Sequence, residues 1–173
     1  KQNDVVKAAN GKTIEVAHTD AEGRMVLADT LHFASQLKPK LLIDYATLTG
    51  ACIGALSTRM SGTLTNREKL VPVLIEAGNA SGERVWPFPL PKDYEDALKS
   101  DIADMVNAAT TRYGGAISAA LFLKAFTGDA PWAHLDIAGT AWADEPKPWQ
   151  AKGPTGVAVR TLIELARSSG NWA

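Results

Sequence analysis

Two short apolar runs place the tightest limit on what this chain can fold into. Lys40–Tyr45 (KLLIDY) and Trp132–Ile137 (WAHLDI) each lead straight into a loop of small residues, Ala46–Gly50 and Ala138–Ala141. A short apolar run bounded by breakers reads as a strand, and Lys40–Tyr45 as a buried one. Helix-like segments lie around them. Met25–Leu37 repeats Leu27, Leu31 and Ala34, and Arg67–Ala77 repeats Leu70, Leu74 and Ala77. Ala116–Phe126 is a small-residue helix, and Gly156–Ala166 places Val159, Leu162, Ile163 and Ala166 at helical spacing. Strands alternating with such helices point to a layered α/β fold with a mostly parallel central sheet. In open α/β sheets ligands sit at the carboxyl ends of strands, so Ala46–Gly50 is where a site is expected.

The remaining segments fill in the frame. Val5–Ala8 and Thr13–Val16 flank Asn10-Gly11, a strong hairpin signal. Gly62–Thr65 is a further short strand. Pro39, Gly78 and Gly128 are expected to stop the helices before them. Arg84–Pro91 is too rich in proline for a central strand and is expected at an edge. Asp93–Lys99 reads as a short helix, Ser100–Tyr113 as a long surface connection, and Ala143–Pro154 as irregular.

Composition removes several function classes. A chain of 173 residues suits one domain with a real core. Its net charge of −1, with no basic run, gives no electrostatic case for nucleic acid or a membrane surface. The apolar runs are too short to span a bilayer. The single Cys52 excludes an intramolecular disulfide and a multi-cysteine metal site, so a reducing, cytoplasmic setting is the default. The chain opens on Lys1-Gln2-Asn3-Asp4, without an initiator methionine or a signal sequence, and is expected to begin inside a larger protein.

The densest possible chemistry lies in Ala17-His18-Thr19-Asp20-Ala21-Glu22-Gly23-Arg24. Carboxylates at i and i+2 of an extended or looped segment can be aimed at one ion. Arg24 brings a planar fork of donors suited to a carboxylate or carbonate-like anion. A structural reading stands beside this one. Thr19-x-x-Glu22 ahead of an apolar run is also a capping box. Gly23 favours the site, because glycine is a poor choice in a first helical turn unless backbone geometry or a ligand demands it.

The run TDAEGR with the following MVLAD resembles the signature of the leucyl aminopeptidase family, the cytosolic two-metal peptidases. Four further segments agree in order: Asp44–Ala51, Ser100–Met105, Trp132–Gly139 and Lys152–Gly156. The resemblance covers nearly the whole chain. It implies a three-layer α/β/α sandwich with a mixed, mostly parallel sheet, and places residues 1–173 in the carboxyl-terminal part of the catalytic domain. It implies that Asp20 and Glu22 hold a pair of divalent ions (Zn, Mn or Mg), with Glu22 bridging both. Arg24, with backbone groups of Ala21, Gly23 and Leu48, would hold a bicarbonate-like anion. Thr47, Leu48 and Gly50 would bind the substrate backbone. The expected partners are peptide substrates and further copies of the chain in a hexamer.

Two departures from the family pattern stand out. His18 occupies a position usually held by asparagine, and is expected to tune packing or hydrogen bonding. The family's remaining ligands, a lysine and two aspartates, and a second lysine lie in upstream segments that do not occur here. The chain alone is therefore expected to have little or no peptidase activity and to order no metal. Rival readings are a non-catalytic assembly module that keeps the peptidase fold, and an anion-binding α/β domain. Elsewhere, Asp101 and Asp104 are expected on a solvated face, His134 as a satisfied core histidine, and Cys52 as buried and inert. Lys152–Gly156 lacks the spacing of a phosphate loop, and the five tryptophans are expected as core and interface anchors.

Overall fold

The computed structural model describes residues 1–168. Its central sheet has four strands in the order β3-β7-β4-β5: β3 (Leu42–Ala46), β7 (Trp132–Asp136), β4 (Ser61–Thr65) and β5 (Val85–Pro87). β3 runs parallel to β7 and β4 parallel to β5, while β4 and β7 are antiparallel. Two of these three pairings are thus parallel, as the alternation of elements predicts. A hairpin of β1 (Val5–Lys7) and β2 (Thr13–Glu15) forms a second sheet with β6 (Met105–Val106), which lies parallel to β2.

The period-two alternation of β7 sorts the core into two layers. Trp132 packs into a cluster with Leu31 of helix α1 (Glu22–Gln36) and Phe122 of α4 (Gly115–Lys124). Ala133 and Leu135 face the opposite cluster, with Leu74 of α3 (Leu70–Ser81) and Leu165 of α5 (Val159–Arg167). Helices therefore cover both faces of the sheet, giving three layers. Helix α2 (Gly50–Leu56) starts at the end of β3, where the Thr49 side chain accepts a hydrogen bond from Cys52 N–H and caps it.

Several segments differ from the sequence expectation, each for a physical reason. Gly78 does not stop α3. It is buried inside the helix, where a Cβ would meet the Glu83 carbonyl oxygen at 2.8 Å, and the helix ends at Gly82 in the left-handed region. Ser100–Tyr113 is not a surface connection, since it contains β6 and the fully buried Asn107. Two short strands, β8 (Trp142–Ala143) and β9 (Gly153–Pro154), pair within the segment expected to be irregular. β3 lies at a sheet edge and is only partly buried. Helix α5 buries Thr161 and Leu165, leaving Val159 and Ile163 exposed. Trp132 is core, but Trp86, Trp142 and Trp149 are exposed. Trp172 lies outside the described residues.

A polar network sits within this core. Asp44 of β3 lies directly across from His134 of β7. Its carboxylate meets His134 Nδ1 at 2.6 Å and accepts a hydrogen bond from Trp132 Nε1 at 2.6 Å. His134 is only half satisfied, because among the described residues its buried Nε2 has no partner. Removing the acceptor strands two buried groups at once, so Asp44→Ala should lose about 3 kcal/mol of stability. Urea unfolding followed by tryptophan fluorescence measures this, and a loss within error of zero would refute it.

Candidate active site

The acidic stretch lies between β2 and α1 and is shaped by one side chain from far along the sequence. Asn107 Nδ2 donates to the carbonyls of His18 (2.7 Å) and Ala21 (3.3 Å), and its Oδ1 accepts from His18 N–H (3.1 Å). Its own N–H donates to Glu15 carbonyl at 2.9 Å. Asn107 therefore clamps the turn that presents Asp20. The capping box does not form. Helix α1 begins at Glu22, preceded by Ala21, and no side chain caps it. The turn closes instead through Ala21 N–H to His18 carbonyl. His18 is exposed and its Nδ1 accepts from Asp20 N–H at 3.2 Å, a local hydrogen-bonding role of the kind expected.

Glu22 lies in the first turn of α1, where the helix dipole favours a negative charge. Asp20 and Glu22 are both exposed. Among the described residues neither carboxylate accepts a hydrogen bond or pairs with a cation. Gly23 is helical rather than left-handed, and a Cβ there would meet nothing within 4 Å; the same space is open at Gly50. The protein's own packing does not require glycine at either position.

Arg24 is 9% exposed. Its Nη1 donates to the Asn107 carbonyl at 2.9 Å, and among the described residues its other donors find no acceptor. Burial pushes the guanidinium below its ordinary pKa, and the charge of Asp136 pushes it back up. It stays charged at neutral pH.

Asp136, at the end of β7, holds the loop after β3. It is 1% exposed. Its Oδ1 accepts from the N–H groups of Leu48 (3.2 Å), Thr49 (3.4 Å) and Ala138 (3.2 Å), and its Oδ2 accepts from the Thr49 hydroxyl at 2.6 Å. The loop holding Thr47, Leu48 and Gly50 is thus held from below, with Thr47 and Gly50 exposed. Of the residues whose backbone groups are expected to serve an anion, the amides of Ala21 and Leu48 already have internal partners. That of Gly23 lies in the first helical turn, where N–H groups have no intrahelical acceptor.

Sequence reasoning missed Asn107 and Asp136. Asp136 carried a signal, a carboxylate at the carboxyl end of a strand. Asn107 carried none, because nothing in Ser100–Tyr113 marks it as buried. Asp104 is spoken for by Thr13, whose N–H and hydroxyl donate to it and lower its pKa. Cys52 is buried, and burial first, then the charge of Asp136, pushes its thiol up to about 11. Thr155 donates to the Thr140 carbonyl beside β9, so Lys152–Gly156 builds a strand, not a phosphate loop.

Two hard oxygen donors without internal partners suit a divalent cation such as Zn²⁺, Mn²⁺ or Mg²⁺. Two is fewer than the three protein ligands common in catalytic zinc sites. Among the described residues no group of three or more His, Cys, Asp or Glu is placed to hold a metal. The donor set therefore fits as part of a metal centre.

Two measurements check this geometry. Asn107→Ala should cost about 2 kcal/mol by leaving the His18 groups unpaired. It should also speed amide hydrogen exchange over residues 18–24, whereas unchanged exchange there would mean that Asn107 does not hold the turn. Cys52 should resist a thiol-specific disulfide reagent at pH 8 in the folded chain and react fully in denaturant; rapid reaction of the folded chain would contradict its burial.

A family model described as the cytosol aminopeptidase family, catalytic domain, matches residues 1–163. A probable cytosol aminopeptidase of Geobacter sp. (strain M21) is 53% identical over 96% of this chain, which spans 34% of that protein. One of Koribacter versatilis is 54% identical over 98% of the chain and 33% of that protein. The chain therefore spans about a third of the length of these relatives. Among solved structures, a mutant of tomato leucine aminopeptidase superposes with a TM-score of 0.92 at 44% identity, over 98% of this chain and 32% of that one. With the fold, the ordered motifs and a family model covering nearly all of its residues in agreement, this chain belongs to the cytosol aminopeptidase family.

Proposed function

We propose that the chain is the carboxyl-terminal portion of the catalytic domain of a two-metal exopeptidase that releases amino-terminal residues, with a preference for apolar ones, from peptides. The observation that carries this reading is the pair of unpartnered carboxylates, Asp20 and Glu22, next in sequence to an arginine that is buried and under-bonded. Exposed acids and an arginine with unused donors are groups able to take bound ligands.

Asp20 and Glu22 would hold a pair of divalent ions, with Glu22 bridging them. When bound, such ions supply an activated water and polarise the peptide carbonyl. Arg24 offers its free donors to a bicarbonate-like anion, with the Gly23 N–H beside it and the Ala21 and Leu48 backbone at its margin. Open space at Gly23 and Gly50 lets a ligand approach the backbone. Thr47, Leu48 and Gly50 orient the substrate main chain. The remaining ligands would come from a segment upstream in the longer protein. We place that protein in the cytoplasm as a hexamer. The exposed Phe33, Leu37 and Trp149 support a chain that covers more apolar surface when assembled. No helix among the described residues is long and apolar enough to cross a membrane.

Hydrolysis of a leucyl chromogenic substrate tests the reading. The full-length protein should turn it over in a chelator-sensitive way, and Glu22→Ala should reduce kcat by roughly a hundredfold or more. The isolated 173-residue chain should show little or no turnover, and a rate comparable to a full-length relative would refute this. A full-length protein inactive with every divalent ion favours the non-catalytic assembly module. Anion binding without metal-dependent turnover favours the anion-binding domain.

A further inference from the structure

Asp136 is a charged group that the proposed chemistry does not use. It is almost fully buried and makes no ion pair within 4 Å among the described residues. A buried carboxylate without a close cation is costly unless hydrogen bonds compensate. Here they do, and they come from Leu48, Thr49 and Ala138. One of them is the amide of Leu48, a residue whose backbone is among the groups proposed for the anion. The carboxylate therefore stands where it competes with a bound anion for a donor. Its negative charge also acts on the same arginine.

We propose that Asp136 is a positioning residue that fixes the Leu48–Thr49 backbone beneath the substrate and holds down the affinity of the Arg24 site for its anion. Two effects follow, one of shape and one of charge, and they can be separated. This inference rests on the reading that Arg24 holds a bicarbonate-like anion. The hydrogen bonds at Asp136 argue for the shape effect without it.

Asp136→Asn is close in shape. Its carbonyl can still accept from the three amides, and its NH₂ can donate to the Thr49 oxygen. It removes the charge and turns the Thr49 hydrogen bond around, so that the hydroxyl accepts where it donated. Thr49→Val does the reverse, keeping the charge and deleting the 2.6 Å hydroxyl bond along with the cap on α2. Thr49→Ser restores both. All are made in the full-length protein loaded with metal, and bicarbonate is the probe, read by thermal shift and by its half-saturating concentration in turnover. Asp136→Asn should lower that concentration roughly three- to tenfold, because a nearby like charge has been removed. Thr49→Val keeps the charge and should not lower that concentration; it should raise KM about threefold or more through a loosened loop, with Thr49→Ser returning KM to normal.

A bicarbonate response in the wild type that Asp136→Asn leaves unchanged or weakens overturns the charge role alone. An unchanged KM in Thr49→Val overturns the shape role, and remains readable if Asp136→Asn does not fold. A wild type with no bicarbonate response by either method overturns the anion reading, and the charge role with it.

Discussion

One buried carboxylate connects the sheet of this protein to its site. Four hydrogen bonds converge on Asp136: three from backbone amides and one from the Thr49 hydroxyl. They bind the carboxyl end of β7 to the loop that leaves β3 and to the start of α2. Unmade, those donors would be polar groups buried without partners, at a cost comparable to a lost hydrogen bond each. The same Thr49 oxygen caps α2, so strand, loop and helix are fixed by a single contact set.

Asn107 does the corresponding work on the other side. Its side chain holds both faces of the His18–Ala21 turn, and its carbonyl takes one arm of Arg24. Backbone that would otherwise need water is satisfied by one amide side chain from a distant segment. That leaves Asp20 and Glu22 with no structural duty. The capping box that would have engaged Glu22 does not form, and the turn is held by Asn107 and by the Ala21 N–H on the His18 carbonyl.

Much of the frame was legible in the chain. The short apolar runs of β3 and β7, the Asn10-Gly11 hairpin and the periodicity of α1 and α3 are local patterns, and local patterns survive folding. The failures were also local readings, made where tertiary contacts decide. Gly78 looked like a helix stop but is needed for close packing against Glu83. Ser100–Tyr113 looked like surface because it is polar, yet the polar side chain of Asn107 is used internally. His134 looked satisfied, but only one nitrogen faces Asp44.

By itself the sequence determined the layered α/β architecture, the family, and which residues around Asp20 could carry chemistry. Those properties depend on residue type, spacing and order, all of which are present in the linear chain. Only the tertiary structure decided that, among the described residues, the two carboxylates stand unpartnered and Arg24 is buried with donors to spare, and that Asp136 and Asn107 hold the loops around them. Burial and hydrogen-bond satisfaction are properties of neighbours in space, and these neighbours lie more than eighty residues apart along the chain.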